Sequence, residues 1–171
     1  MSKPAFKQLV SQLDLRLRHR VPMVHQTESS ECGLACLAMI CGYYGKNIDL
    51  IALRRQFNLS TRGATLVGLT GIAEQLGLST RPLSLDLDEL NALKLPCILH
   101  WEFNHFVVLV SVKGHRAVLH DPARGRRAIS LTELSHSFTG VALEAWPGSS
   151  FTADSVRHRI HLRTLIGSVH G

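Results

Sequence analysis

The stretch from Cys32 to Gly45 constrains the fold of this chain most, because it contains no charged residue and is predicted to form one buried helix. The polar and acidic residues 26–31 come directly before it. Cys32 is therefore expected in the first turn of the helix, where unpaired backbone N–H groups and the positive end of the helix dipole favour an anion. Such a setting favours the thiolate, the nucleophilic form of cysteine. A nucleophile of this kind needs a base, a group that orients the base, and a donor for the oxyanion.

Two residues in the second half of the chain meet the first two of these needs. His105 follows a turn and begins an apolar strand, a position that would hold an imidazole rigidly at one end of a sheet. Asp121 ends the neighbouring hairpin strand, so its carboxylate is expected at the same end. There it can accept a hydrogen bond from the imidazole and stabilise the imidazolium. Each residue alone has an ordinary structural explanation, and it is their conjunction with Cys32 that indicates catalysis.

The loop before Cys32 offers an oxyanion donor and also presents a difficulty. The side-chain amide of Gln26 can point, together with the backbone N–H of Cys32, at a developing oxyanion, although a polar loop residue is the simpler interpretation. Glu28 and Glu31 bring negative charge close to the thiol, which disfavours a thiolate. A protonated His105 would offset that charge, and Glu31 has the alternative role of capping the helix.

The other three cysteines are expected to be structural. Cys36 and Cys41 fall within the predicted helix and Cys97 within a predicted strand, where each is interpreted as a small buried apolar residue. The four cysteines show no pattern of a disulfide framework, which fits a reducing compartment. A zinc site that combines Cys32 and Cys36 with two histidines, or a regulatory redox role, stays open as an alternative, but no Cys-x-x-Cys pair supports it. We expect no metal and no cofactor in this chain.

Hydrophobic periodicity divides the chain into a helical half and a sheet half. Helices are predicted over 32–44, 49–57 and 65–76. Strands are predicted over 79–85, 97–101, 105–112, 116–120 and 140–146, with short helices over 86–93 and after Ser130. The expected fold class is therefore α+β, a helical half packed on an antiparallel sheet half.

The expected organisation is one folded domain between two tails. With 171 residues, of which 45% are apolar, the chain is long enough for one domain with a core and too short for two. Residues 1–19 are predicted to form an amphipathic helix, 20–147 the domain, and 148–171 a linker whose basic amphipathic pattern suits an anionic membrane face or a solvated tail helix. Neither a secretory signal nor a membrane span is expected. The net charge of +6 does not indicate nucleic-acid binding, because no aromatic residues alternate with the basic ones.

Three separated segments of the sequence resemble a known family, in the order in which that family has them. They are Gln26–Ile40, which contains the candidate nucleophile, then His100–Val110 and Leu119–Gly125. Together they resemble the bacteriocin-processing cysteine peptidase domain that begins certain ABC exporters, the double-glycine leader peptidases, and they are similar above all to the exporters of colicin V and related microcins. The resemblance covers residues 20–147. One small departure is Glu31, where the family often has aspartate.

The resemblance implies a fold, an activity and a set of roles. It implies a papain-like fold on the cytoplasmic side of the bacterial inner membrane, and removal of the leader of a bacteriocin or microcin precursor after a Gly-Gly or Gly-Ala pair. The nucleophile falls on Cys32, the base on His105, the orienting residue on Asp121 and the oxyanion donor on Gln26. The implied partners are the leader peptide and the transmembrane and ATPase domains of the same exporter. ATP would be used by that absent ATPase domain, since this chain has no Gly-x-x-x-x-Gly-Lys stretch.

The leader is expected to bind in an apolar groove away from the chemistry. Leu66, Val67 and Leu69, or the apolar edge near Trp101, are candidates for lining it, although core packing is the simpler role for most of them. The main alternative to an enzyme is a leader-docking domain that does not catalyse. The presence of all three candidate catalytic residues argues against that alternative.

Overall fold

The computed structural model describes residues 20–57 and 63–154 of the chain. The predicted N-terminal helix over 1–19 and residues 155–171 of the predicted linker lie outside this part. Within the described part, three α-helices precede an antiparallel six-stranded sheet, so the predicted helical half and sheet half are confirmed. No helix in these two ranges is long and apolar enough to cross a membrane.

The first helix, α1 (Cys32–Tyr43), is the buried centre of the helical half. All of its residues from Cys32 to Cys41 are buried, which explains why the sequence places no charge there. It packs against the strand His105–Lys113, and a short 3-10 helix, Ser29–Glu31, leads into it. The helix ends just before Gly45, whose φ of +86° is a backbone conformation that glycine adopts without strain.

The other helices begin close to their predicted starts. They are α2 (Leu50–Gln56), α3 (Leu66–Gln75) and α4 (Leu131–Ser137), with a second 3-10 helix at Leu87–Ala92. At the start of α3 the Thr65 hydroxyl accepts from the Gly68 N–H at 3.1 Å, and at the start of α4 the Ser130 hydroxyl accepts from the Glu133 N–H at 3.0 Å. Both contacts satisfy backbone donors that the helix itself leaves unpaired.

The six strands form one antiparallel sheet in the order β1-β6-β2-β3-β4-β5. Their bounds are β1 Leu78–Ser84, β2 Cys97–Trp101, β3 His105–Lys113, β4 Arg116–Asp121, β5 Gly125–Ser130 and β6 Phe138–Pro147. Strand β6 crosses back to lie between β1 and β2, while β2, β3, β4 and β5 follow one another as hairpins. The start of β3 and the end of β4 therefore lie at the same end of the sheet.

Strand β5 was not among the predicted strands. The sequence predicts only a turn after Asp121 and then the cap of a helix at Ser130, because Arg126 and Arg127 break any apolar alternation. In the structure these residues form an edge strand that pairs with β4, with Arg126 opposite His120. Edge strands commonly carry charged residues, which discourage pairing with other chains, so the hydrophobic pattern is weak where this strand occurs.

The sheet carries a separate hydrophobic core on each face. The core on one face includes α1 and α3 together with Ile98, Phe106 and Val108 of the central strands. The core on the other face includes Leu134 of α4 and the alternate residues Val107 and Leu109 of β3. Strand β3 thus contributes to both cores, which fixes its register from two sides.

The chain continues to pack on the domain after β6. The N–H of Gly148 donates to the carbonyl of Gly77 at 2.9 Å, and the Phe151 ring lies 6.4 Å from the ring of Tyr44. Asp154 accepts from the N–H of Asn47 through its carboxylate at 2.8 Å. The segment predicted as a linker from residue 148 therefore starts with residues that are held against the helical half.

Gly42 of α1 is expected to tolerate no side chain. A Cβ built there lies 2.6 Å from Cγ of Pro22, a rigid ring, so Gly42→Ala should lower the free energy of unfolding by about 1–3 kcal/mol despite the better helix propensity of alanine. Gly71 of α3 is the matched control, because a Cβ there meets nothing within 4 Å and Gly71→Ala should be stabilising by up to about 1 kcal/mol. Urea unfolding of both variants measures the difference, and equal effects of the two would contradict the close contact at Pro22.

Candidate active site

The N-terminus of α1 brings Cys32 against His105 at the start of β3. Cys32 is the first residue of α1, and the helix packs on β3, whose first residue is His105. The thiol is close enough to the ring to favour the protonated imidazole. The thiol and the imidazole that the sequence assigns to one site are therefore neighbours in the structure.

Asp121 holds the far side of the His105 ring. Its Oδ1 accepts from Nε2 of His105 at 2.8 Å, and also from the backbone N–H of Ala123 at 2.9 Å. Because Nε2 is engaged by Asp121, Nδ1 is the ring nitrogen that is left for the thiol of Cys32. The expected row of thiol, imidazole and carboxylate is present, with its three members drawn from α1, β3 and β4.

Burial and hydrogen bonding shift the pKa values of this pair in opposite directions. Burial alone would lower the pKa of His105, but the hydrogen bonds and charges of Asp121 and Cys32 outweigh it and raise that pKa to about 9. Burial alone would raise the pKa of Asp121, but the hydrogen bonds from His105 and Ala123 hold it below its usual value. The imidazole is therefore protonated and the carboxylate ionised at neutral pH, the charge state that supports a neighbouring thiolate.

Gln26 and Asp121 line one cleft, and the backbone of Gln26 is hydrogen-bonded to the turn that follows Asp121. The backbone N–H of Gln26 donates to the carbonyl of Pro122 at 3.0 Å, and its side-chain Oε1 is buried with no hydrogen-bond partner among the described residues. The cleft has a volume of about 200 Å³. It is lined by Gln26, Ser29, Trp101, Glu102, Asn104, His105, Asp121, Ala123 and Arg124.

One feature of the cleft was not anticipated from the sequence, namely the strained turn between β2 and β3. Glu102 and Phe103 have φ values of +49° and +60°, although neither is glycine. The Glu102 N–H donates to the carbonyl of Ser137 at 2.8 Å, which helps to hold this conformation. Phe103 is 84% exposed beside the cleft. The sequence signal was the short gap between two strands, since short hairpin turns often place residues at positive φ.

The remaining cysteines lie in the cores, as predicted. Cys36, Cys41 and Cys97 have no exposed surface. Burial raises the pKa of the Cys36 and Cys97 thiols strongly and that of Cys41 to about 11. Within the described residues, no three His, Cys, Asp or Glu side chains are grouped so that they could hold a metal ion, so the alternative of a zinc site gains no support there.

We expect a thiol alkylator to modify Cys32 first. Cys32 keeps a small exposed area and faces a protonated imidazole, whereas burial holds the other three cysteines as neutral thiols. Brief treatment with iodoacetamide followed by peptide mapping should place the label on Cys32, and the Cys32→Ala variant should take up label far more slowly. Faster labelling of Cys41 or Cys97 would contradict an activated thiol at Cys32.

The sequence matches one peptidase family and two secretion/processing proteins. The sequence model of the peptidase C39 family matches residues 20–150. The chain is 67% identical over its full 171 residues to two Escherichia coli proteins, the probable microcin-H47 secretion/processing ATP-binding protein MchF and the colicin V secretion/processing ATP-binding protein CvaB. The matched region is 24% of each relative, so this chain spans about a quarter of their length.

Two solved structures with a similar fold are a protease and a peptidase domain. A double glycine motif protease from an AMS/PCAT transporter, solved with its leader peptide, is 38% identical with a TM-score of 0.71, and the match covers 77% of this chain and 95% of that one. The peptidase domain of Streptococcus ComA is 26% identical with a TM-score of 0.69, and the match covers 75% of this chain and 99% of that one.

Proposed function

This chain belongs to the peptidase C39 family and is a cysteine peptidase of papain-like fold. From that premise we propose that it removes the leader of a bacteriocin or microcin precursor after a Gly-Gly or Gly-Ala pair. The observation that carries the proposal is the contiguous row of Cys32, His105 and Asp121 beside a small cleft. Support for the substrate comes from the two 67% identical relatives, which are described as secretion/processing proteins, and from the double glycine motif protease solved with its leader peptide.

The proposed reaction uses each residue in one role. The Cys32 thiolate attacks the carbonyl carbon of the second residue of the glycine pair, and the backbone N–H of Cys32 and the side-chain amide of Gln26 donate to the oxyanion that forms. The His105 imidazolium gives its proton to the departing amine, which leaves an acyl group on Cys32. His105 then accepts a proton from water as that water attacks the acyl group, and the thiolate is released. Asp121 keeps the imidazole oriented throughout.

The size of the cleft supports a preference for glycine beside the scissile bond. A volume of about 200 Å³ is small compared with ligand pockets of roughly 300–1,000 Å³. Trp101 lines one wall and is itself buried, so the wall cannot withdraw easily. A residue without a side chain would fit in such a cleft, whereas a larger residue would have to displace packed groups.

Burial reduces the number of residues that could line the groove for the leader helix. Leu69 is fully buried in the core and is excluded from such a groove, as core packing predicts. Val67 is 83% exposed at the start of α3 and remains available to an apolar partner. Trp101 is buried at the cleft and would contact the end of a leader rather than its helix.

The proposal extends to the protein of which this chain would form part. By analogy with relatives of about four times its length, the proposed partners are the transmembrane and ATPase domains of the same exporter, on the cytoplasmic side of the inner membrane. ATP would act in that ATPase domain, and no cofactor is proposed here. A non-catalytic docking domain would not need Cys32, His105 and Asp121 to lie together beside the cleft, so that alternative is not favoured.

Mass spectrometry of a cleavage reaction tests the proposed function. The reduced chain is incubated with a peptide whose amphipathic leader ends in Gly-Gly, beside the Cys32→Ala variant. We expect one cut after the second glycine with the wild-type chain and none with the variant. Binding of the peptide by both proteins with no cut by either would overturn the catalytic proposal in favour of docking, and equal cutting by both would exclude Cys32 as the nucleophile.

A further inference from the structure

Glu31, the residue directly before the nucleophile, is a buried carboxylate that closes the loop in front of α1. It is 3% exposed. Its Oε2 accepts from the backbone N–H groups of Thr27 and Glu28, each at 3.0 Å, and the N–H of Glu31 itself donates to the carbonyl of Glu28 at 3.1 Å. A single carboxylate therefore fixes the peptide groups that immediately follow Gln26.

Gln26 is consequently held from both sides. Its own N–H is bound to Pro122 on the turn after Asp121, and the peptide group that joins it to Thr27 is bound to Glu31. Cys32 follows Glu31 directly in sequence, so the two proposed oxyanion donors stand at the two ends of one closed loop. Glu31 itself is not among the residues that line the cleft.

A guanidinium on a different helix balances the charge of this carboxylate. Arg54 of α2 forms an ion pair with Oε1 of Glu31 through its Nε. Burial alone would raise the pKa of Glu31, but the interaction with Arg54 and the hydrogen bonds from Glu28 and Thr27 outweigh it and hold that pKa below its usual value. The carboxylate therefore stays ionised beside Cys32, and Arg54 together with two N–H donors compensates its charge.

We propose that Glu31 and Arg54 act as one positioning unit, which sets the loop between Gln26 and Cys32 in the geometry that stabilises the oxyanion. Neither residue touches the substrate. The inference rests on the proposed peptidase function and deepens it, because the unit would act on the transition state rather than on binding of the leader. It also removes the difficulty of negative charge near the thiol, since the carboxylate is already engaged by two backbone N–H donors and by the ion pair with Arg54.

Two single variants and their combination test the unit. Glu31→Gln keeps an acceptor for Thr27 and Glu28 but loses the ion pair, while Arg54→Met leaves the carboxylate uncompensated. Each should lower kcat for leader cleavage by about 10- to 100-fold, the loss expected when catalytic groups are misplaced by about 1 Å, with KM close to the wild-type value. The double variant should lose no more than the worse single variant, because the two residues act together.

Arg55→Met is the matched control. Arg55 is the exposed neighbour of Arg54 on α2 and forms no ion pair within the part of the chain that the structure describes, so its replacement should leave kcat unchanged. Arg54→Lys, which keeps a positive charge, should recover most of the activity that Arg54→Met loses. All rates are expressed per folded molecule, counted from the native fraction in urea unfolding, so that loss of stability is not mistaken for loss of catalysis.

The outcomes separate this inference from the proposed function. A wild-type chain that does not cleave the leader peptide would overturn both together. A wild-type chain that cleaves, beside Glu31→Gln and Arg54→Met variants with unchanged kcat per folded molecule, would overturn the positioning unit alone. A rise in KM with constant kcat would also overturn it, since that pattern indicates a role in binding. If Glu31→Gln does not fold, Arg54→Met decides the question, because the Arg54 side chain is partly exposed.

Discussion

Replacing His105 with alanine is expected to lower kcat/KM for leader cleavage by about 10⁴- to 10⁶-fold, the range seen when a member of a catalytic triad is removed. The imidazole lies beside Cys32 and is the proposed proton donor to the departing amine, so its loss should impair both the attack and the departure of the leaving group. Asp121 would also lose its charge partner, although its buried carboxylate would keep the hydrogen bond from the Ala123 N–H.

The measurement is the initial rate of cleavage, followed by mass spectrometry, together with the binding of the uncut leader peptide. We expect binding to persist in the His105→Ala variant, because the leader helix is proposed to lie away from the chemistry. His115→Ala is the matched control, since His115 is exposed at the turn between β3 and β4 and its replacement should leave the rate unchanged. A loss of less than tenfold in the His105 variant would mean that another base serves Cys32.

Asp121→Asn is expected to lower kcat by about 10²- to 10⁴-fold while leaving the fold intact, because the amide is nearly isosteric but no longer fixes or stabilises an imidazolium. The pH profile should change as well. In the wild-type chain the hydrogen bonds to Asp121 and Cys32 raise the pKa of His105 to about 9, so activity that needs the imidazolium should fall as pH rises through about 9. Without the negative charge of Asp121 this fall should occur at a lower pH.

The decisive readout for Asp121 is the alkaline limb of kcat/KM measured between pH 6 and pH 10. Asp88→Asn serves as the control, because Asp88 lies in the 3-10 helix Leu87–Ala92, away from the residues that line the cleft. An alkaline limb that stays in place in Asp121→Asn, or an unchanged kcat, would show that a different residue orients His105.

Much of the site could be predicted from the sequence because the positions of its residues depend on their neighbours in the chain. The polar residues before an uncharged run placed Cys32 at the start of a helix, and hairpin connectivity placed His105 and Asp121 at one end of a sheet. Each inference required only neighbouring residues and the geometry of a single element. The helix after Ser130 begins where predicted for the same reason, since the Ser130 side chain itself caps that helix.

What escaped the sequence depends on contacts that form only in the folded chain. Nothing near Arg54 indicates that it would meet Glu31, because α2 and the loop before α1 approach each other only in the folded chain. The positive φ values at Glu102 and Phe103 oppose the preferences of those residues and persist because the surrounding hairpin imposes them. Strand β5 likewise owes its existence to pairing with β4 rather than to its own composition.

The division of the site between the two halves of the chain has a consequence during synthesis. Cys32 emerges with the helical half, whereas its base and the residue that orients it come from β3 and the end of β4, which follow much later. Until those strands have formed and closed the long loop between them and α1, the thiol has no partner. The thiol of a nascent chain would therefore lack its base, and peptidase activity would begin only after the sheet has packed against the helix.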